Sequence, residues 1–300
     1  MRPMGATSAT GATSATTTAP LRIGVIGHVE HITLGRIAAL PRAGDIVHVE
    51  APRVLAGGGG GIAFFQLARG PAALHLFTAL GDDDGARFVE RAVAATGARV
   101  HAARRAEPHT RDVVMIDPSG ERTIVVVGEP LHPRADDPLP WDVLDELDAV
   151  YFTAQDPALL ARARRARVLV AAARRRACID AAAVELDAIV GSRLDPRERA
   201  ARADYAVPPV ALVMTEGALG GAVETAAGVA RYASPPAAVT GGTYGAGDSF
   251  AGALTYYLAA GLAPAEAAAR AAPHGAAVVG SLDPLAAHLP LPAPGARAAR

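Results

Sequence analysis

A chain of 300 residues, 51% of them hydrophobic, is long enough to bury a large core as one domain with a small appendage. Its net charge of −1 argues against nucleic acid or an anionic membrane surface as the main partner, and no apolar run approaches the length of a membrane span. All 29 basic residues are Arg, which excludes chemistries that need a P-loop, protein-kinase or Schiff-base Lys, and the lone Cys178 excludes an intrachain disulfide framework and fits a reducing cytoplasm.

Residues 1–20 repeat one block, Gly5 to Thr10 and Gly11 to Thr16, and lack the apolar core of a signal peptide; they are expected to be a disordered tail ahead of a domain over 21–300. Leu21 to Ile26 reads as a buried strand ending at Gly27, and Asp45 to Leu55 as an extended, Val-rich stretch. Gly57 to Gly61 is a run of five glycines. By itself it reads as a flexible linker, but it leads straight into an apolar helix over Ile62 to Arg69, and strand-Gly-helix junctions are where open α/β sheets place ligands. A strand over Leu74 to Leu80, Asp82 as a turn or cap residue and a helix over Gly85 to Thr96 follow. Arg111 to Val127 predicts a hairpin folded about Asp117-Pro118-Ser119-Gly120. Ala149 to Thr153, Arg167 to Val170 and Ala211 to Thr215 continue the buried strands, while the runs Arg162 to Arg167 and Arg174 to Arg176 read as solvated helix faces. Asp195 precedes Pro196 as a helix-starting acid would.

The densest signal is Gly241-Gly242-Thr243-Tyr244-Gly245-Ala246-Gly247-Asp248-Ser249-Phe250. Apolar residues at Phe250, Leu254, Tyr257 and Leu258 predict a helix from near Ala246 to Gly261, so the glycines lie at its N-terminus. Unpaired N–H groups and the helix dipole favour an anion there. Asp248 then either caps the helix or, beside a phosphoryl group, takes a proton from an attacking hydroxyl.

Gly242 to Phe250 resembles the C-terminal signature of the PfkB, or ribokinase-like, carbohydrate kinases, written D-T-x-G-A-G-D-x-F, with Gly242 at the first Asp. Gly57 to Ile62 resembles their N-terminal G-G-x-x-x-N, with Ile62 at the Asn. The resemblance implies a ribokinase-like three-layer α/β/α fold with a mainly parallel central sheet and a small β-lid, whose strands lie within about 43–56 and 109–128. It implies ATP-dependent phosphorylation of a hydroxyl on a sugar or sugar-like molecule, with Asp248 as general base and the amides of Gly245, Ala246 and Gly247 as anion hole. Gly57 and Gly58 would pack against the sugar, and Glu30 or His31 would replace the family's early Asp, since both bind hydroxyls; an ordinary loop residue is the alternative for His31. Thr215, Gly217 and Gly220, matching T-x-G-x-x-G, would meet the nucleotide together with Thr243, Gly245 and Gly247. His274 falls on the helix that lines the adenine pocket in relatives, and Asp195 stands where N-x-x-E has its magnesium-associated Glu. ATP and Mg²⁺ are the implied cofactors, with a monovalent cation left open, and a lid-to-lid homodimer is the implied assembly in a cytoplasmic protein. A nucleoside kinase of the same fold and a nucleotide-binding regulatory protein are the alternatives, the latter favoured by the departures at Gly242, Ile62 and the early Asp.

Overall fold

The computed structural model describes residues 19–238 and 241–293, so the expected tail lies almost wholly outside the described residues. In chain order the elements are β1 (Arg22–Ile26), β2 (Glu30–Arg36), β3 (Glu50–Gly57), α1 (Gly58–Leu67), β4 (Ala73–Leu80), α2 (Asp84–Ala94), β5 (Arg99–Arg104), β6 (Arg111–Ile116), β7 (Arg122–Val127) and β8 (Ala149–Phe152). There follow α3 (Pro157–Ala163), β9 (Val168–Ala172), α4 (Arg176–Ala182), β10 (Ala188–Ser192), β11 (Ala211–Thr215), β12 (Gly221–Thr225), β13 (Gly228–Tyr232), α5 (Ala246–Ala259), α6 (Pro264–Val279) and α7 (Pro284–Ala287).

Two sheets form. The large one has the order β13-β12-β11-β10-β9-β8-β1-β4-β5, parallel except for the antiparallel edge strands β12 and β13. Its inner strands, β1, β4 and β8 to β11, are nearly continuous apolar runs because both faces are covered. One face packs on α1, α2, α5 and α6 through residues such as Phe64, Val89, Leu254 and Ala271; the other packs on α3 and α4 through Leu159, Leu160 and Ile179. The expected three-layer arrangement is therefore present.

The small sheet, β3-β2-β6-β7, is the expected lid, with one addition and one shift. Strand β2 is not among the strands the sequence predicts; its pairing with β3 and β6, not its composition, makes it a strand. Residues 45–49 carry no regular structure, so β3 starts later than the extended stretch did and runs on to Gly57. The hairpin between β6 and β7 turns as its chemistry dictates. Asp117 Oδ1 accepts the N–H groups of Ser119 and Glu121, and Gly120 takes φ +85°.

The glycine run is not a linker. Gly58 begins α1, and the run is helical because backbones approach it closely: a Cβ on Gly60 would lie 2.5 Å from the His28 carbonyl oxygen. Helix α2 is capped by Asp83, whose Oδ1 accepts the Ala86 N–H at 2.9 Å, rather than by Asp82. Helix α5 starts at Ala246 as predicted, after Gly245 at φ +82°, and gives way to Gly261 at φ +85°. The arginines of both runs, read as solvated, are all engaged: Arg162 with the Ala135 carbonyl, Arg164, Arg165, Arg167 and Arg176 with Asp187, Asp145, Asp148 and Asp180, Arg174 with Asp195 and Glu198, and Arg175 Nε with the Thr153 carbonyl at 2.8 Å. Among the described residues no helix is long and apolar enough to cross a membrane.

Candidate active site

The two glycine signatures meet. A Cβ on Gly59 would sit 3.2 Å from Asp248 Oδ1, so the first turn of α1 lies directly against the carboxyl in the first turn of α5. Tyr244 locks the junction by accepting the Gly58 N–H on its hydroxyl at 3.0 Å. Burial, with the Glu198 charge adding to it, pushes the Asp248 carboxyl up to about 6, while the guanidinium groups of Arg122, Arg174 and Arg175 pull it back. Gly247 faces open space, with no atom within 4 Å of where a Cβ would stand. An acidic group near neutrality therefore stands beside the open Gly247 backbone at a helix N-terminus, while the Ala246 N–H turns to the Thr243 carbonyl at 3.5 Å.

On the α1 side the pocket is lined by polar groups that sequence reading found only in part. Glu30 Oε2 occupies the space beside Gly58, 2.6 Å from where its Cβ would be, and Gly58 has φ +77°. Burial, then the neighbouring Asp112 charge, raises the Glu30 carboxyl well above its ordinary value; burial raises Asp112 also, and the two carboxyls hydrogen-bond. His28 Nε2 accepts the Gly59 N–H at 3.2 Å, and its ring meets His132 edge-on at 4.9 Å. Burial, reinforced by His132 and Arg175, keeps His28 neutral, and burial with Arg175 drives His132 down to about 3. Asp112, His28 and His132 were missed because a buried polar residue looks, in sequence, like a surface one.

Alternation along β2 separates the two early candidates. Glu30 faces the site, whereas His31 points the other way and packs its ring on Phe88 of α2 at 5.2 Å, so His31 is not a site residue. Gly57 is enclosed rather than open: its missing Cβ would meet Ile32 and the Tyr244 hydroxyl, both at 2.7 Å. Ile62, at the Asn position, belongs to the lid's apolar core with Ile32, Leu55 and Ile116. Gly242 has φ +112°, and Ile116 atoms lie 2.9–3.2 Å from its absent Cβ. The lid thus fills the room an acidic side chain would need. It also touches the cradle, through the Thr243 N–H donating to the Gly120 carbonyl at 3.2 Å and Arg122 Nη1 donating to Thr243 Oγ1 at 3.1 Å.

Comparison with known proteins bears on this arrangement directly. The model of the pfkB family carbohydrate kinases matches residues 178–287, which include the Asp248 cradle. A ribokinase from Thermotoga maritima superposes with a TM-score of 0.72 at 19% identity, over 91% of this chain and 96% of that one. A ribokinase from Arabidopsis thaliana, complexed with ribose and ATP, gives 0.69 at 18% identity over 90% and 96%. A nucleoside kinase from Burkholderia thailandensis, in complex with inosine, gives 0.67 at 16% identity over 89% and 94%. No curated protein sequence matches the chain. The fold is ribokinase-like, and the segment 178–287 is similar to the pfkB family.

The turn after β11 carries the next expected residues. Gly217 at φ +60° and Gly220 at φ +87° shape the turn after β11, closed by the Glu216 N–H donating to the Gly220 carbonyl at 2.7 Å. Thr215 Oγ1 donates to the Gly191 carbonyl at 3.3 Å, so its hydroxyl braces β10. His274 does not line an adenine pocket: it is 4% exposed, buried where α6 packs on α5, with Nε2 3.3 Å from the Tyr257 hydroxyl. Gly275 beside it is a packing glycine, its absent Cβ 2.9 Å from the Ala246 carbonyl oxygen.

Asp195 lies near the site but not alone. Arg174 binds Asp195 at 2.6 Å and Glu198 at 2.7 Å. Burial pushes the Asp195 carboxyl up, yet hydrogen bonds from Arg197 and Arg174 outweigh it and hold the group well below the carboxylate range. Glu198, whose Oε2 accepts the Ser192 N–H at 2.9 Å, is the carboxylate whose field reaches Asp248 most strongly. Its one sequence signal was its place three residues after Asp195, in Asp195-Pro196-Arg197-Glu198. Among the described residues no three metal-ligating side chains cluster. Two carboxylates already neutralised by Arg174 fit a hydrated Mg²⁺ held mainly by phosphates, not an all-protein cage.

Proposed function

We propose that this protein transfers the γ-phosphoryl group of ATP to a hydroxyl of a sugar or sugar-like alcohol. The observation that carries the reading is Asp248: a carboxyl pushed up to about 6, against Gly59 on one side and beside the open amide of Gly247 on the other. The acceptor hydroxyl lies in the pocket of Glu30, Asp112 and His28 and gives its proton to Asp248 as its oxygen attacks phosphorus. The N–H groups of Gly245, Ala246 and Gly247 stabilise the charge on the phosphoryl oxygens. Mg²⁺, reached through water by Asp195 and Glu198, would neutralise the donor phosphates. Thr215, Gly217, Gly220 and Thr243 border the donor.

A sugar is favoured over a nucleoside by what surrounds the pocket. Phe64 is fully buried and offers a base no stacking face, and Phe65, edge-on to it at 5.4 Å, packs against the core of the large sheet. The ribose in the Arabidopsis complex supports the sugar reading, and the inosine in the Burkholderia complex keeps nucleosides in the assay.

The test is ADP release with Mg·ATP over sugars, sugar acids, polyols and nucleosides. Turnover on one class, lost in Asp248→Asn, supports the reading. ATP binding without turnover on any class supports a regulatory protein instead.

Gly247→Ala separates cradle from fold. With no atom within 4 Å of the new methyl, stability should hold or rise by ~0.5–1 kcal/mol, because Ala outranks Gly in a helix. The methyl should obstruct the phosphate and raise KM for ATP about tenfold, the equivalent of one lost hydrogen bond. An unchanged KM would remove Gly247 from the cradle.

Assembly is a further part of this reading. Strand β7 is an edge of the lid, and Val125, Val126 and Val127 are each about half exposed. Pairing of two lids would cover them. Light scattering after gel filtration should give twice the chain mass, and a monomer at tens of micromolar would rule this out.

A further inference from the structure

Three arginines act on Asp248, and two of them are engaged elsewhere. Arg174 is held by Asp195 and Glu198, and Arg175 donates Nε to the Thr153 carbonyl. Arg122 differs. It stands at the start of β7, directly after the lid turn, is exposed, and has no carboxylate partner among the described residues. Its side chain donates from Nη1 to Thr243 Oγ1 at 3.1 Å, two residues ahead of Gly245. The Thr243 N–H to Gly120 carbonyl bond, at 3.2 Å, fixes the hairpin over the cradle in the same place. Position 242 completes the picture. Ile116 fills the space beside Gly242 and glycine stands there, so position 242 offers the guanidinium no carboxylate.

We propose that Arg122 is a catalytic residue carried by the lid, contacting the transferring phosphoryl group at the Gly245–Gly247 cradle. The inference rests on the kinase reading above. In the step, the acceptor oxygen bonds to the γ-phosphorus while the bond from phosphorus to the β,γ-bridging oxygen breaks. That electron pair leaves with ADP, the acceptor proton passes to Asp248, and Arg122 keeps its protons throughout. A guanidinium suits the task, because its planar N–H groups meet two phosphoryl oxygens at once and it stays charged at any working pH. It supplies from the lid the cation that a chain without Lys must take from Arg.

The test uses the full chain and Arg122→Ala, with two readouts. In steady-state assays on an accepted alcohol, kcat should fall about 10³-fold with the acceptor KM within about threefold. Added guanidinium ion should restore at least a tenth of the lost rate to Arg122→Ala and none to Arg122→Lys, whose ammonium fills the space. In calorimetry, Mg·ADP with aluminium fluoride, which mimics the group in transfer, should bind wild type at least tenfold tighter than Mg·ADP alone, and the variant should lose that gain. A kcat within threefold of wild type, a loss without guanidinium rescue, or a fluoride gain that persists in the variant or is missing in wild type overturns the assignment. Wild type inactive on every alcohol, with the fluoride gain present and lost in Arg122→Ala, would instead sink the kinase reading and leave Arg122 as a phosphoryl-binding residue.

Discussion

Asp248→Asn should lower kcat by about 10⁴-fold, at the upper end for loss of a general base, while the Kd for ATP changes less than about twofold. The substitution keeps the shape of the side chain, and the cradle beside it is backbone. The wild-type pH profile follows from the same carboxyl. It must be ionised to accept a proton, and burial holds it at about 6, so kcat/KM should fall tenfold per unit below pH 6 and level off above pH 7. The stability effect has the opposite sign. A carboxyl whose folded value is raised stabilises the fold at acidic pH, below its unfolded value near 4, and that contribution is lost as pH rises through 6. Asp248→Asn should therefore stabilise the protein at pH 8 by about 1–3 kcal/mol, and this gain should vanish toward pH 4. Turnover near wild type, or a variant less stable than wild type at pH 8, would contradict the assignment.

Gly60→Ala should be the most destabilising single methyl in the glycine run. The new Cβ would stand 2.5 Å from the His28 carbonyl oxygen and 3.1 Å from both Gly27 C and His28 N. All three are backbone atoms, so no rotamer change relieves the overlap, and α1 must move off the β1–β2 connection. The cost should be ~3 kcal/mol, the upper part of the range for overpacking, read as a lower urea midpoint at unchanged m. A midpoint equal to wild type would mean that α1 sits less tightly on β1 than described.

How much of this was legible differs between scaffold and site. The strands β1, β4, β8 and β11 announced themselves because a sheet covered on both faces needs continuous apolar runs, and Gly or Asp punctuates each. Strand β2 did not, because Glu30, His31, Gly35 and Arg36 give it the composition of a loop and its neighbours supply its pairing. That omission also blurred the choice between Glu30 and His31, which the two-residue period of a strand decides at once. At the site, Asp248 and its glycines were readable because glycines gathered at the start of an apolar-periodic helix leave a local pattern. Asp112, His132, Glu198 and Arg122 left little or none. They converge from β6, a loop, the stretch after β10 and the lid turn, and no spacing within one segment encodes such a meeting. His274 misled for a related reason: a helix position says nothing about which face is buried.

The contact between the first turns of α1 and α5 bears on the order in which the molecule is assembled. Gly59 meets Asp248, Gly245 meets Ile62, and a Cβ on Gly252 would lie 2.6 Å from the Ala63 carbonyl oxygen. These partners are separated by most of the chain, so their loop-closure entropy is among the last to be repaid during folding. On the ribosome, the glycine-rich turn emerges long before the helix that completes it. The nascent chain has every opportunity to form β1 and β4 side by side, yet the turn at Gly59 has nothing to close against until α5 has left the exit tunnel.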